Sequence, residues 1–323
     1  MSSPEALPVS DAAPSPADIR VTDVARSFGD VHAVRSITFE ARPGEVTGLV
    51  GPNGSGKTTL LLMLATLLVP DRGEIRVGGL DPVTRPAEVR RLLGWMPDVL
   101  GSWPNLTVRR SLELTARLYD LPRPAAAARA AELISLVDLG ELADRPTRVL
   151  SRGQKQRLSL ARALVHDPRV LLLDEPASGL DPGARVALRV LLRRLAAEGR
   201  TILVSSHVLS ELDELADRAV FLEAGSTVSE ERVAAARSTE RGWRIRALDA
   251  TALRRALVAA GVDEARIASD PQGLVVPIAG EADAAGLLAS LVTAGVEVVS
   301  FAPAVGDLEH TFLDLSADGE GAR

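Results

Sequence analysis

The octapeptide at residues 51–58, Gly-Pro-Asn-Gly-Ser-Gly-Lys-Thr, constrains the fold of this chain more than any other stretch. It follows an apolar run with strand character at residues 45–50 and precedes an apolar run of helix-forming residues at 59–68. Its glycines permit backbone conformations that bulkier residues avoid, so successive backbone N–H groups can face an anion. The pattern therefore predicts a strand, a phosphate-binding loop and a helix, and with them an α/β fold.

Each part of this loop has a predicted role. Lys57 places a positive charge near the outer phosphates of a nucleotide, and the Thr58 hydroxyl binds magnesium. The following helix directs the positive end of its dipole at the same anion. A glycine-rich turn that matches by chance is the alternative, but the chain has only two lysines, and a random match is expected in about one sequence in a thousand. The predicted nucleotide-binding residues of the loop are Gly51, Pro52, Asn53, Gly54, Ser55, Gly56, Lys57, Thr58 and Thr59.

Length and composition limit the alternatives. With 323 residues and 46% hydrophobic content, the chain can bury the cores of more than one domain. Its net charge of -6 disfavours a dedicated nucleic-acid binder, which usually has a basic excess. The absence of cysteine excludes disulfides and thiolate chemistry. Neither a signal peptide nor a run of the roughly 20 apolar residues needed to cross a bilayer is visible, so a soluble chain is predicted.

Two buried strands are predicted to end in polar residues. Residues 170–173 form a continuous apolar run that ends at Asp174 and Glu175, and residues 201–206 are predicted as a further buried strand that ends at His207. Ligands of open α/β sheets bind at the carboxyl ends of the strands, so these side chains are expected beside the phosphates. There Asp174 would hold magnesium and Glu175 would polarise the attacking water. The alternatives are a solvated acidic turn and a histidine that merely satisfies its own hydrogen bonds.

Two further residues are candidates by position alone. Phe28 lies in a turn between predicted strands at 19–24 and 33–41, where an aromatic ring either stacks on the adenine of ATP or packs in the core. Asp98 follows a short strand that ends at Pro97. A single carboxylate in a loop is normally solvated, so the local sequence assigns it no role.

Residues 150–154, Leu-Ser-Arg-Gly-Gln, resemble the signature of ABC ATPases, which is usually Leu-Ser-Gly-Gly-Gln. They lie about 20 residues before the acidic pair, as in that family. The resemblance also includes the phosphate loop, Phe28, Asp98, the acidic pair, residues 178–181 and His207, in the family's order. It implies a P-loop NTPase fold of the ABC ATPase type over residues 18–237, with a helical subdomain at about 99–165.

The resemblance implies a head-to-tail dimer, either a homodimer or a heterodimer, that encloses two ATP molecules with Mg²⁺. Ser151, Gly153 and Gln154 would bind the γ-phosphate held by the partner chain, because they open a helix N-terminus without a ligand of its own. Residues 178–181 resemble the family's interface loop and would couple hydrolysis to a domain-scale motion. The other implied site residues are Glu175, His207 and Lys57 for catalysis, Thr58, Asp98 and Asp174 for magnesium, and Phe28, Asp98 and Asp174 for the nucleotide.

Two positions depart from the family pattern. Arg152 stands where the third signature residue is usually glycine, and arginine can still begin a helix. Asp98 stands where the family usually has a glutamine that contacts magnesium. Asp98 keeps an oxygen ligand but adds a charge, so activity with altered metal or coupling behaviour is expected.

The C-terminal part alternates short strands and helices from residue 242, which predicts a small α+β accessory domain at 242–316. Residues 1–17 and 317–323 are predicted as disordered tails. No active-site constellation is visible in the accessory domain, so dimer-stabilising, regulatory and ligand-sensing roles stay open for it. Its final segment, residues 307–313, resembles the ending of ATPase subunits that serve bacterial exporters of drugs, lipids or polysaccharides.

The resulting prediction is an ATPase subunit that drives a separate membrane permease, peripheral on the cytoplasmic face of the cell membrane, and an exporter because of the C-terminal resemblance. Residues 99–139 would hold the groove for a cytoplasmic helix of the permease, and no nucleic-acid partner is expected. The alternative is a soluble ABC ATPase acting on ribosomes or DNA, but the chain has one phosphate loop and fewer than 100 residues between that loop and the signature. A catalytically dead regulatory subunit is disfavoured because Lys57, Glu175 and His207 are present.

Overall fold

The computed structural model describes residues 19–99, 101 and 103–320, so the tail predicted at residues 1–17 lies outside the described residues. The described chain divides into two compact units. The first contains residues 19–207 and 215–227, and the second contains residues 208–214 and 228–320. Residues 228–237, which the sequence assigns to the ATPase domain, group with the second unit.

A nine-stranded sheet forms the frame of the first unit. Its strands, in chain order, are β1 (Ile19–Phe28), β2 (Val31–Ala41), β3 (Val46–Val50), β4 (Arg72–Val77), β5 (Leu93–Met96), β6 (Val170–Asp174), β7 (Thr201–Ser205), β8 (Arg218–Glu223) and β9 (Ser226–Thr227). Their order across the sheet is β4-β1-β2-β9-β8-β3-β7-β6-β5. The strands from β8 to β5 in this order pair in parallel, whereas β1 pairs antiparallel with β2 and β4. Every residue of β3, β6 and β7 is buried, as expected for strands covered on both faces.

The helices of the first unit follow the predicted pattern with two differences. They are α1 (Lys57–Leu64), α2 (Pro86–Leu92), α3 (Val108–Leu118), α4 (Arg123–Leu136), α5 (Arg152–Ala163) and α6 (Pro182–Ala197). α3 begins where expected, because the Thr107 hydroxyl accepts a hydrogen bond from the Arg110 N–H at 3.1 Å. α1 ends earlier than predicted, since Thr66 has a left-handed φ of 65° that a helix cannot continue through. α6 has no counterpart among the predicted helices.

Parallel pairing brings the ends of three strands together. Leu49 of β3 pairs with Ser205 of β7, and Asp174 of β6 pairs with the same serine. The phosphate loop follows β3, Glu175 follows β6 and His207 comes shortly after β7. These segments therefore emerge at one edge of the sheet, where ligands of open α/β sheets bind.

The second unit contains a four-stranded antiparallel sheet in the order β11-β12-β10-β13. Its strands are β10 (Arg241–Ala247), β11 (Ala268–Asp270), β12 (Gly273–Ile278) and β13 (Val298–Pro303). Its helices are α7 (Leu209–Leu215, whose last residue belongs to the first unit), α8 (Glu230–Arg237), α9 (Ala250–Ala259), α10 (Glu281–Thr293) and α11 (Asp307–Glu320). Alternate residues of β10 and β12, including Trp243, Ile245 and Val276, form the core with Leu257 of α9 and Leu291 of α10. This arrangement is the small α+β fold that the sequence predicts for the C-terminal part.

The last helix of the second unit is longer than predicted. α11 continues to Glu320, into the segment 317–323 that the sequence predicts as a disordered tail, and residues 321–323 lie outside the described residues. Within the described ranges, no helix combines the length and the apolar character that a membrane span requires.

Candidate active site

The phosphate loop between β3 and α1 has a shape that requires glycine at two positions. A Cβ atom on Gly51 would lie 2.4 Å from the carbonyl oxygen of Leu222. A Cβ atom on Gly56 would lie 2.7 Å from the carbonyl oxygen of Ala33, and the φ of Gly56 is 97°. Any larger residue would strain the loop, so its compact form depends on the glycine spacing seen in the sequence.

Two polar side chains of the loop are buried inside it. The Lys57 ammonium donates hydrogen bonds to the carbonyl oxygens of Gly51 at 2.6 Å and Pro52 at 3.0 Å. Burial lowers the pKa of Lys57, and the negative charges of the acidic pair act in the opposite direction. The buried Ser55 hydroxyl has no hydrogen-bond partner among the described residues. A partly desolvated lysine and an orphaned hydroxyl both fit a phosphate group, which supplies negative charge and acceptor oxygens.

Asp174, the last residue of β6, is buried between two hydroxyl groups. Thr58 Oγ1 donates to Asp174 Oδ2 at 3.3 Å, and the Ser205 hydroxyl donates to Oδ1. Burial raises the pKa of Asp174, the two hydrogen bonds oppose that shift, and the charge of Asp98 adds to it. The two residues predicted to share magnesium with Asp98 are thus in direct contact.

Glu175 is held at the strand end by its backbone. Its φ is 53°, a left-handed conformation that non-glycine residues rarely adopt. Its N–H donates to the carbonyl oxygen of Ser205 at 3.2 Å, and Gln156 Nε2 donates to the carbonyl oxygen of Glu175 at 2.7 Å. Surrounding bonds therefore hold an unfavourable backbone conformation at a position where chemistry is predicted.

The Glu175 carboxylate is paired with His207. A hydrogen bond of 2.7 Å joins Oε2 of Glu175 to Nδ1 of His207. Burial raises the pKa of Glu175, and the bond to His207 opposes that shift. The side chain of Glu175 is 16% exposed and that of His207 is 63% exposed. The pair therefore consists of a largely buried carboxylate and an imidazole that faces solvent.

Residues 34–178 match the ABC transporter family model. Nod factor export ATP-binding protein I from Burkholderia orbicola is 41% identical over 216 residues, which cover 67% of this chain and 70% of that protein. The chain belongs to the ABC transporter family. A daunorubicin resistance ATP-binding protein from Streptomyces coeruleorubidus is 34% identical over 303 residues, 93% of this chain and 96% of that protein. Because so little of the chain lies outside that match, the likeness extends into the second unit.

Solved structures give the same result for the fold. An ATP-binding subunit of an ABC transporter has a TM-score of 0.61 and 28% identity, and covers 67% of this chain and 91% of that chain. A dimeric ATP-binding cassette in a post-hydrolysis state, bound to ADP and Pi, has a TM-score of 0.61 and 25% identity, and covers 65% and 97% of the two chains. The predicted P-loop ABC ATPase fold is confirmed, and the chain is an ATP-binding, ATP-hydrolysing subunit.

Two predicted site residues of this ABC ATPase lie apart from the hydrogen-bonded pairs. The Phe28 ring is 46% exposed, with the Arg26 guanidinium 5.0 Å from the ring centroid. The alternative that Phe28 packs in the core is therefore wrong, because its position at the end of β1 faces solvent. Asp98 is exposed just after β5, and its charge raises the pKa of both Asp174 and Glu175.

The signature segment differs from the prediction in one respect. Ser151 caps α5: its hydroxyl accepts from the Gln154 N–H at 3.2 Å, and Gln154 Oε1 accepts from the Ser151 N–H at 2.8 Å. The expectation that this helix N-terminus has no ligand of its own is wrong for these groups, since each residue satisfies the other. The N–H groups of Arg152 and Gly153 are not part of that exchange.

Two residues that support the site are absent from the sequence prediction. Ser205 contacts both Asp174 and the backbone of Glu175, and Gln156 anchors the Glu175 carbonyl group. The one local indication of Ser205 is its place at the end of β7, where a hydroxyl follows three apolar residues. The role of Gln156 depends on packing between α5 and the end of β6, which the local sequence does not encode.

Proposed function

We propose that two copies of this chain bind two ATP molecules head to tail and hydrolyse them with magnesium, driving a separate membrane permease that exports its cargo. The observation that carries this proposal is the pairing of Glu175 with His207 at one edge of the sheet, beside the contact between Thr58 and Asp174. In this proposal Glu175, the ligands of the magnesium ion and the phosphate loop would surround a single position for the γ-phosphate.

Glu175 acts as the base that orients and polarises the attacking water. Burial raises its pKa and so makes its carboxylate a stronger base than an ordinary glutamate, while the hydrogen bond to His207 opposes that shift. The exposed imidazole of His207 holds the Glu175 carboxylate and would contact the γ-phosphate. Lys57, enclosed by the phosphate loop, would balance the charge that develops on the phosphate oxygens.

The hydroxyl of Thr58 and the carboxylates of Asp174 and Asp98 would hold Mg²⁺. Hydroxyl and carboxylate oxygens are the donors that this ion prefers, and Thr58 and Asp174 are already in contact. When bound, the ion neutralises charge on the β- and γ-phosphates. Phe28 is exposed at a strand end and would stack on the adenine.

The first turn of α5 would cap the γ-phosphate of ATP held by the partner copy. The N–H groups of Arg152 and Gly153 remain for that contact, while the Ser151 and Gln154 pair stabilises the turn that presents them. The solved cassette dimer in a post-hydrolysis state supports such an assembly. ATP would then join the two copies, and hydrolysis would release them.

The names of the relatives favour export. One is a Nod factor export ATP-binding protein and another a daunorubicin resistance ATP-binding protein, and the second matches this chain over both units. We place the chain on the cytoplasmic face of the cell membrane, where it would receive a helix of the permease in the region 99–139. The permease would select the cargo. The two relatives named above give no support to the alternative action on ribosomes or DNA.

ATP turnover of Glu175→Gln tests the proposal. The variant keeps the shape of the side chain but cannot act as a base, so kcat should fall roughly 100- to 10,000-fold while ATP binding is retained. Glu198→Gln is a matched control, because Glu198 is an exposed glutamate at the end of α6. Unchanged turnover in Glu175→Gln would remove Glu175 from the mechanism.

A further inference from the structure

Arg152, the position at which the signature departs from glycine, contacts the loop that leaves the acidic pair. Its Nη2 donates a hydrogen bond to Ser178 Oγ at 2.7 Å. Its aliphatic stem lies across Gly179, where a Cβ atom would be 2.8 Å from Arg152 Cδ and 3.0 Å from Cγ. Gly179 has a left-handed φ of 73°, so the loop bends directly under the arginine.

The same face of α5 makes two more contacts with this loop. A Cβ atom on Gly153 would lie 3.1 Å from the carbonyl oxygen of Gly179, so the helix backbone comes close to the loop backbone. Gln156, four residues after Arg152 and hence on the same side of the helix, donates to the carbonyl oxygen of Glu175. One face of the first turns of α5 thus holds both ends of the segment from Glu175 to Gly179.

The segment itself is a series of tight turns. The Ser178 N–H donates to the carbonyl oxygen of Glu175 at 3.1 Å, and the Leu180 N–H donates to that of Ala177 at 3.1 Å. Leu180 is buried, which fixes the far end of the segment. A shift at Ser178 therefore reaches the backbone of Glu175 through a single hydrogen-bonded turn.

We propose that Arg152 is a positioning residue that couples the two ATP sites of the dimer. This inference rests on the proposed function, in which α5 caps the ATP of the partner copy while Glu175 acts on ATP bound to its own loop. A contact that orders the start of α5 also orders the segment from Glu175 to Gly179, because the Arg152 guanidinium on α5 is hydrogen-bonded to Ser178 in that segment. ATP bound to one copy then positions Glu175 of the other copy, which polarises the water that attacks that copy's own ATP.

The contacts of Arg152 distinguish a positioning role from direct binding of phosphate. One guanidinium nitrogen of Arg152 is engaged by Ser178, and the stem is laid over Gly179 within the same chain. If Arg152 served only as a phosphate ligand, Ser178 would have no part in its function. The two readings therefore differ in what a Ser178 substitution does.

The test is the ATP concentration needed to dimerise the full chain in a Glu175→Gln background, measured by light scattering with magnesium present. Arg152→Ala and Ser178→Ala should each raise that concentration about three- to tenfold, the range expected for losing one hydrogen bond to a charged group at a partly exposed site. The double variant should show no further rise, because both changes remove the same contact. Arg152→Lys should stay close to the parent, since lysine retains the stem and a donor.

Arg148→Ala is the matched control and should match the parent, because the Arg148 guanidinium bonds to Asn105 rather than to the loop. Hydrogen exchange at residues 175–180 provides a second readout and should accelerate in Arg152→Ala and Ser178→Ala alike. An effect of Arg152→Ala with none of Ser178→Ala would overturn the inference in favour of direct phosphate binding. If Glu175→Gln itself fails to dimerise with ATP, the proposed function fails together with the inference. If it dimerises and neither substitution has an effect, the inference alone fails.

Discussion

The two carboxylates of the candidate site and two carboxylates of the second unit, Asp249 and Asp270, are held in opposite ways. In the first unit, burial raises the pKa of Asp174 and of Glu175. In the second unit, the hydrogen bond from Arg244 lowers the pKa of Asp270, and backbone N–H groups at the start of α9 lower that of Asp249. The first pair is thus placed where ionisation costs free energy, and the second pair where it stabilises the fold.

This difference in the direction of the pKa shift distinguishes carboxylates that complete the fold from carboxylates of the candidate active site. Asp249 and Asp270 complete structure, one as a helix cap and the other as an ion-pair partner, and their ionisation needs nothing from outside. Asp174 and Glu175 do not gain enough from their neighbours to offset burial, and they lie beside a partly desolvated lysine. Such an arrangement is favourable once a nucleotide and a cation share the site, which is a typical property of active sites.

The largest expected effect separates the two lysines of the chain. Lys57 is enclosed by the phosphate loop, whereas Lys155 lies on α5 outside the predicted site. Lys57→Ala should lower kcat/KM for ATP roughly 100- to 1,000-fold, because a preorganised positive charge is lost. Lys155→Ala should change it less than about twofold, as expected for a residue that does not contact the transition state. Comparable losses of kcat/KM in both variants would show that turnover depends on positive charge near the site and not on the enclosure of the Lys57 ammonium by the loop.

A second comparison pairs Asp174→Asn with Asp270→Asn. A group whose pKa is raised in the folded state stabilises the fold only while it is protonated, and this stability is lost as pH rises through that pKa. Burial raises the pKa of Asp174, so its ionised form adds nothing to the free energy of unfolding. Asp174→Asn should therefore not lower the melting temperature at pH 7. The same change should lower ATP turnover by roughly 100-fold. Asp270 has a lowered pKa, so its contribution is present above the ordinary value of 3.8. Asp270→Asn should therefore lower the melting temperature and leave turnover intact; the reverse pattern would contradict the contrast between the units.

The smallest expected effects are shifts in the pH dependence of turnover. In the proposed mechanism Glu175 must be ionised to act, so kcat/KM should fall as pH drops through its raised pKa, above the ordinary value of 4.5. His207→Ala removes a bond that lowers this pKa, so the acid limb should move to higher pH. Asp98→Asn removes a charge that raises it, so the acid limb should move to lower pH. Shifts in the same direction, or none, would remove Glu175 as the titrating group.

The sequence predicts those parts of the site that depend on local pattern. The spaced glycines predict the bend between β3 and α1, and the apolar run at residues 170–173 predicts the buried strand that ends at Asp174. Residues 201–206 predict the buried strand β7, which ends at Ser205, two residues before His207. The local pattern also contains the capping box of α5, because Ser151 is followed three residues later by Gln154. The contacts that the sequence does not predict depend on pairing between distant segments. Ser205 contacts Asp174 only because β6 and β7 lie side by side.

Other omissions have the same cause. β9 is a two-residue strand, and its place in the sheet depends on pairing with Ser36 of β2, far away in the sequence. The left-handed backbone of Glu175 is imposed by Ser205 and Gln156, so no property of glutamate predicts it. Arg152 looked like a tolerated departure from glycine, and only the fold shows its contact with Ser178.

The most direct test of the ATPase mechanism is the mass of the full-length Glu175→Gln chain in solution with magnesium, measured without nucleotide, with ADP and with ATP. A dimer that forms only with ATP is the predicted result, because in the proposed dimer the γ-phosphate supplies the contact between the phosphate loop of one copy and α5 of the other. A monomer under all three conditions, or a dimer of equal strength under all three, would contradict the claim that ATP joins two copies across this site.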